Sequence, residues 1–424
     1  MSLLIKNGYI LDPSTETEGI ADLLIEDGVI KEINRDIHVN ADQVIDAKGL
    51  YVMPGFIDLH VHLREPGYEY KETVATGAKA AARGGYTTIC PMPNTNPVID
   101  SKNMVESLLL KAKQEAVVHV LPIGAVTKDQ AGAELSDIKG MAAAGAAAVS
   151  EDGKSVMNTA LYREGMQKAK EAGIPVFAHC EDKDLVGRGV LNEGMKSKEL
   201  GMPGISNAVE DIIVSRDILL AKDTGVRLHL CHCSTKDSVI FVKMAKEAGL
   251  PVTGEVCPHH FTMADDEITG DDANYKMNPP LRSREDIKAL KEGLRDNIMD
   301  VIATDHAPHS QEEKAKSILE APFGIVGLET AFALTMTELV NTGYLTPMQM
   351  VRKMSYNPAQ VLGIDKGSLA VGKAADIVIA DPEETYRIDV KEFASKGRNT
   401  PFHGKEVTGR VKFTIVDGKI VFRD

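Results

Sequence analysis

The stretch Met53–Gly67, MPGFIDLHVHLREPG, decides how the chain is read. A short apolar run ends in His60 and His62, and Arg64 follows directly. Six to eight apolar residues suit a buried strand better than a helix. On a strand, residues two apart point to the same face, so His60 and His62 share one face and Arg64 lies just beyond them with the same parity. Two imidazoles on one face at a strand tip are a pair of metal-donor groups, with a cation placed above them.

Seven further runs of the same kind follow: YTTICPMPN, VVHVLPIGAV, GAAAVSED, IPVFAHC, VRLHLCHC, PVTGEVCPHH and VIATDHAPH. Helical patterns such as NTALYREGMQKAKEAG and SVIFVKMAKEAG lie between them, and glycines stand where helices should stop. Eight alternating β/α units with near-continuous apolar strands predict an α/β protein built on a (β/α)8 barrel. Periodicity alone leaves an open doubly wound sheet possible, and the count of eight favours closure. Both chain ends differ from the middle. Residues 1–52 and 363–424 read as short alternating strands with Asn-Gly and Asp-Gly turns, such as Asp417-Gly418. We expect them to form one small β-sandwich domain beside a catalytic barrel spanning 53–362.

In such a barrel the chemistry sits at the C-terminal ends of the strands. The runs end in His60 and His62, in Asp152, in His179, in His232, and in Asp305 with His309 behind it. Strand parity places Phe177 with His179, Leu228 and Leu230 with His232, and Val301 and Ala303 with Asp305. Each candidate ligand therefore follows apolar residues of its own face. Imidazole and carboxylate suit Zn²⁺ and related divalent ions. Four histidines and two aspartates exceed what one tetrahedral ion needs. Two ions sharing a bridging carboxylate and a bridging hydroxide would use all six. Singly, each residue is weak evidence, since a strand-end Asp is usually a turn former and an isolated histidine usually packs. The joint pattern carries the reading. By parity, His229 should face the helices, Cys231 and Cys233 should point away from the axis, and His306 should point outward. His119 should be a packing residue, while His259 and His260 are candidates for support behind the ligands.

Composition excludes several classes. At 43% hydrophobic and 26% charged residues, the chain of 424 residues is an ordinary globular protein with material for a large core. A formal charge of −14 argues against nucleic-acid and anionic-membrane partners. No apolar stretch approaches the roughly 18 residues of a membrane span, and Lys6 and Asn7 interrupt any leader. Five cysteines, an odd number, fit reduced thiols in a cytoplasmic protein.

DLHVHLREPG and ATDHAPHSQEEK, on eight β/α units flanked by β segments, resemble the cyclic amidohydrolases, and among them most closely the class I bacterial dihydroorotases. The resemblance covers essentially the whole chain. It implies zinc-dependent, reversible interconversion of N-carbamoyl-L-aspartate and L-dihydroorotate, a step of pyrimidine biosynthesis. It implies that His60, His62 and Asp305 hold one metal and His179 and His232 the second. It also implies that Arg64, Asn94, Asn278 and His309 bind substrate, with Phe323 and Gly324 contacting the ring through backbone groups. Many relatives bridge the two metals with a carboxylated lysine at the end of strand four. Here that tip is Asp152, as in a subset of class I members, with Lys154 two residues on as the rival bridge. Asp305 is then the proton shuttle that serves the ring nitrogen, and the hydroxide shared by the metals is the nucleophile of ring opening. Arg64 offers a bidentate fork to the substrate carboxylate that takes no part in the reaction. The resemblance further implies a homodimer and admits association with aspartate transcarbamoylase. The competing readings are a sister dihydropyrimidinase (hydantoinase) or allantoinase, which needs no carboxylate clamp, and a non-catalytic scaffold, which should have lost ligands.

Overall fold

The computed structural model describes residues 2–424. Alternating apolar residues at the start form β1 (Ser2–Asp12), β2 (Thr17–Glu26) and β3 (Val29–Asn34). The β2–β3 hairpin turns on Asp27-Gly28, both at positive φ, as a tight two-residue turn requires. Two short strands, β4 (Gln43–Asp46) and β5 (Tyr51–Pro54), then run parallel to β1.

From Phe56 the pattern changes. Parallel strands follow in chain order: β6 (Phe56–Val61), β7 (Tyr86–Pro91), β8 (His119–Val120), β9 (Ile123–Ala125), β10 (Ala148–Ser150) and β11 (Val176–Ala178). A small excursion pairs β12 (Leu191–Asn192) with β13 (Gly204–Ile205). The series resumes with β14 (Leu228–Leu230), β15 (Val252–Val256) and β16 (Val301–Ile302). β8 and β9 are two pieces of one barrel strand, interrupted at Leu121-Pro122, because proline has no N–H for the ladder. Each strand pairs with the next, and the ring closes where Val61 bridges His306 and the His62 N–H donates to the His306 carbonyl at 2.8 Å. The eight-unit alternation is therefore a closed barrel. The two quoted helical stretches form helices Thr159–Glu171 and Lys236–Glu247, with Asn158 and Thr235 as N-caps.

The last strands, β17 (Ile377–Arg387), β18 (Glu406–Val416) and β19 (Lys419–Arg423), return to the beginning of the chain. β17 pairs antiparallel with β5, so both ends merge into one eight-stranded sheet, ordered β19-β18-β17-β5-β1-β2-β3 with β4 also on β1. Leu3, Ile5, Ile10, Leu23, Val52, Ile377 and Ile415 form its shared core, which is the expected sandwich-like module made from both termini. No helix among the described residues is long and apolar enough to cross a membrane.

The barrel axis and the barrel–helix layer are separate apolar clusters, and they test strand parity. Ile57, Leu59, Cys90, Ile123, Ala148, Phe177, Cys231, Val301 and Ala303 come from seven of the strands and fill the axis. Leu228 and Leu230 pack instead with the helices. Parity on β14 is therefore the reverse of the sequence expectation: His229 and Cys231 face the axis. His232 reaches the mouth because the chain kinks there, at φ +34°. A similar break lies on β6, where the pairing register shifts between Asp58 and Val61. It allows Ile57 and Leu59 to fill the axis and His60 and His62 to face the mouth. His306 is buried rather than outward, held by Glu72 at 3.4 Å and accepting the Gly327 N–H.

One buried carboxylate joins the two modules. Asp376 accepts from His119 on β8, from Lys366 and from the Asp417 backbone N–H. Burial opposes its charge, yet His119 and Lys366 hold its pKa down at about 2. A depressed folded-state pKa adds stability that is fully present above the ordinary value of 3.8 and lost as pH falls through about 2. Asp376→Asn should therefore cost about 2 kcal/mol at pH 7, and the gap to wild type should close below about pH 2. Urea unfolding at both pH values measures it; an equal gap at both would exclude the ionic contribution.

Candidate metal centre and substrate cavity

Strand ends bring six donor side chains together at the barrel mouth, each fixed by local structure. β6 delivers His60 and His62, and Asp58 locks that strand to β16. Its carboxylate accepts the His60 N–H at 3.0 Å, the Thr304 N–H at 3.1 Å and the Thr304 hydroxyl at 2.6 Å. At the tip of β10, buried Glu151 turns away from the mouth and accepts the Val126 and Thr127 N–H groups, and Asp152 turns in. Gly153 follows at φ +76°, beside Asn94. β11 and β14 deliver His179 and His232. Asp305 follows β16 at φ +48°.

The donor atoms crowd together. His60 Nε2 lies 3.2 Å from Asp152 Oδ1 and 3.4 Å from Asp305 Oδ1. His62 Nε2 lies 3.1 Å from Asp305 and 3.5 Å from Asp152. His179 Nδ1 lies 3.5 Å from Asp152 Oδ1 and 2.8 Å from His232 Nε2. Asp152 thus touches both the His60/His62 side and the His179/His232 side. Four ligands about 2.0–2.1 Å from one ion stand about 3.3–3.4 Å apart, which matches most of these spacings. Among the described residues, His60 Nε2 and His179 Nε2 are buried without a hydrogen-bond partner, which a polar atom in a folded interior rarely tolerates. His60, His62 and Asp305 form one compact donor triad, and His60, Asp152 and His232 another. The donor set fits divalent metal ions.

Charge supports the same conclusion. Burial works against a charged His60, but Asp305 and then Asp152 raise its pKa well above the ordinary value, so the two carboxylates draw positive charge to this point, which a bound cation would supply in place of the His60 proton. Burial likewise opposes ionised Asp152 and Asp305, and the neighbouring imidazoles, His60 first, hold both well below the usual carboxylate range. Both aspartates are therefore anions ready for a cation. His232 is pushed down to about 3 by burial and by His179 and His60, leaving it neutral.

A cavity of about 160 Å³ opens over these donors. Its wall contains His62, Asp152, His179, His232 and Asp305, and also Arg64, Asn94, Asn278, Phe323 and Gly324. His60 lies beneath it and His309 behind Arg64. Arg64, at φ +59°, donates from Nε to the Pro308 carbonyl at 3.2 Å. His309 Nε2 lies 2.8 Å from the Phe323 carbonyl and must carry its proton there, so Nδ1 accepts from Lys71 at 3.3 Å. Burial first, then Arg64 and Lys71, press His309 far below its ordinary pKa and keep it neutral. Gly324, at φ +122°, passes so close that a Cβ there would lie 2.6 Å from that of Ala307. Asn399 clamps this wall by donating to the Ala307 and Gly324 carbonyls, both at 3.0 Å.

Two predicted residues occupy positions with a second contact. Asn94 Oδ1 accepts from His62 Nδ1 at 2.9 Å and its Nδ2 donates to Asp152 Oδ2 at 2.9 Å, so it joins donors from two strands. Asn278 donates to Glu181. Lys154 points away from the donors, with Nζ on the Gln130 carbonyl at 3.2 Å. His260 Nε2 donates to the Pro279 carbonyl at 2.9 Å, and neither His259 nor His260 hydrogen-bonds a donor residue. Asp58, Glu181, Glu255 and Asn399 escaped the sequence reading. For Asp58 and Glu255 a signal existed: an acidic residue inside an otherwise apolar strand must have partners.

Comparison with known proteins adds an independent line. The family described as Dihydro-orotase-like matches residues 49–238, and the Amidohydrolase family matches 319–422. A dihydroorotase of Acetivibrio thermocellus is 47% identical over 422 residues, covering 100% of this chain and 99% of its own. One of Thermoanaerobacter sp. (strain X514) is 49% identical, covering 100% of this chain and 98% of its own. Among solved structures, an L-hydantoinase from Arthrobacter aurescens superposes with a TM-score of 0.89 at 28% identity, covering 99% of this chain and 96% of that one. A dihydropyrimidinase from Brevibacillus agri follows with 0.88 at 26%, covering 100% and 95%. The barrel and terminal sheet are thus common to several amidohydrolases, while full-length identity near one half is shared with dihydroorotases, and the chain belongs to the dihydroorotase family.

Proposed function

We propose that this chain performs the dihydroorotase reaction, N-carbamoyl-L-aspartate to L-dihydroorotate and back, in a two-zinc site bridged by Asp152. The dihydroorotase activity follows from the family. The metal number, the metal identity and the residue roles are our reading. His60, His62 and Asp305 would hold one ion and His179 and His232 the other, with Asp152 between. When bound, such a pair makes water a nucleophile near neutral pH and polarises the carbonyl under attack.

The chain's own groups do the rest. Asp305 borders both the donor set and the cavity. In ring opening it takes the proton released by the nucleophile and delivers it to the departing ring nitrogen; in cyclisation it accepts the proton of the carbamoyl nitrogen. The observation that carries the substrate assignment is Arg64. Among the described residues its one hydrogen bond to a carbonyl is from Nε to Pro308, and the side chain lines the cavity beside the donors. Dihydroorotate carries a spare carboxylate for that fork, and a hydantoin or dihydropyrimidine does not. Asn94 and Asn278 supply further polar contacts around the substrate, while His309, expected among them, sits behind Arg64 with both ring nitrogens on protein atoms. Phe323 and Gly324 offer backbone groups to the ring. This segment is stiffened by Lys314, whose buried ammonium donates to the Pro322 carbonyl at 3.1 Å and the Gly324 carbonyl at 2.9 Å.

We assign the chain to the cytoplasm, a reducing compartment that suits five buried, unpaired cysteines. A homodimer is supported by apolar stripes left exposed on two neighbouring helices, Ile212 and Leu219 on Ala208–Thr224 and Ile240 and Met244 on Lys236–Glu247. Association with aspartate transcarbamoylase rests on the resemblance alone.

The decisive comparison is ring opening of L-dihydroorotate against dihydrouracil, which differ by the carboxylate. Wild type should open only dihydroorotate, and Arg64→Met should lose at least tenfold in kcat/KM for it while keeping its zinc. Equal or better turnover of dihydrouracil would place the enzyme on the hydantoinase side. Asp305→Asn should lower kcat by at least 10³-fold with near-native thermal unfolding, and a near wild-type rate would remove the shuttle role. For the bridge, elemental analysis should find Lys154→Ala unchanged in metal content and Asp152→Asn short of at least one equivalent; the opposite result would hand the bridge to Lys154.

A further inference from the structure

The barrel axis holds a buried carboxylate that the reaction leaves without a role. Glu255, on β15, is fully buried among apolar residues of the axis. A carboxylate there is costly unless every oxygen is occupied. Its Oε1 faces His60 Nδ1 at 2.8 Å and accepts the His232 backbone N–H at 3.0 Å. Its Oε2 accepts from His229 Nε2 at 2.9 Å, and His229 is held in turn by Thr253 Oγ1 on Nδ1 at 2.8 Å. Thr253, His229, Glu255 and His60 thus make one hydrogen-bonded column up the axis, ending under the donor cluster.

We propose that Glu255 is a positioning residue for the metal centre. It fixes His60 with its proton on Nδ1 and its lone pair on Nε2, and it holds the backbone kink that turns His232 inward. This rests on the metal reading above and deepens it.

Three geometric facts support the assignment. A carboxylate oxygen can only accept, so the 2.8 Å contact puts the His60 proton on Nδ1. The opposite atom, His60 Nε2, is the one that lies between Asp152 and Asp305 and has no hydrogen-bond partner among the described residues. The same Glu255 oxygen receives the N–H of His232, whose φ of +34° is unfavourable for a residue with a Cβ and needs an anchor. One oxygen therefore serves a donor on each side of Asp152. An imidazole ligand backed by a carboxylate is both oriented and made more basic, and loss of such a partner typically weakens metal binding about 10–100-fold. His229 keeps the carboxylate from turning by occupying its second oxygen.

The test uses zinc-loaded full-length protein dialysed against a graded series of chelator. Glu255→Gln keeps the shape and one acceptor oxygen but removes the charge. It should release zinc at about tenfold lower chelator or less, with unchanged far-ultraviolet circular dichroism and an altered visible spectrum after Co²⁺ substitution. Ile123→Ala, another axis change without a path to His60, should retain zinc like wild type. Should Glu255→Gln fail to fold, long-range ¹H–¹⁵N correlation on zinc-loaded wild type reads the His60 tautomer directly. A proton on Nδ1 supports the proposal, and a proton on Nε2 overturns it. Wild-type zinc retention in Glu255→Gln, or equal loosening in Ile123→Ala, would overturn the Glu255 role alone. A wild-type chain that retains no zinc would overturn the metal reading together with it.

Discussion

The contact between the first and last barrel strands sets the geometry of everything above it. Asp58 takes Thr304 by both backbone and hydroxyl, and the His62 N–H meets the His306 carbonyl. These bonds bring His60, His62 and Asp305, more than 240 residues apart along the chain, to within 3.1–3.4 Å. An open sheet would leave them on opposite edges. Closure is therefore a condition for the donor cluster as well as for the fold.

That closure concentrates polar groups where water is scarce. Four imidazoles and two carboxylates share one buried pocket, and their separations are too short for neutral packing and too well matched for accident. The net charge of −14 has little bearing here. Fields inside a low-dielectric mouth come from neighbours a few ångströms away, and those neighbours are arranged for a cation. Behind them the barrel supplies a supporting layer, with Asn94 between His62 and Asp152, and Glu255 between His60 and His232. Each such residue converts a rotatable side chain into a fixed donor.

Hydantoinases and dihydropyrimidinases share this architecture almost end to end, so the fold by itself does not choose the substrate. The choice falls to the cavity wall. In the function proposed above, Arg64, held by the Pro308 carbonyl and beside His309, meets the ring carboxylate. The wall is built from distant pieces, since Asn399 near the C-terminal strands braces Ala307 and Gly324. Terminal segments thus contribute to the site without entering it.

Much of this was legible in the amino-acid order. The H-x-H pair, the strand-end aspartates and the eight apolar runs specify the barrel and its six donors, because period-two alternation and strand-tip position are local properties. The β character of both termini was also readable, since hairpin turns and alternation are local. Other features had to wait for the assembled chain. Parity on β14 is the reverse of the alternation because the chain kinks at His232, whose N–H goes to Glu255 on another strand. The tautomer of His60, the second contact of Asn94 and the orientation of Lys154 away from Asp152 are likewise decided by hydrogen bonds between residues 24 to 195 positions apart. Sequence reports which chemistry is present; only closure of the barrel determines which groups meet, because contact across strands depends on register and curvature that no local pattern encodes.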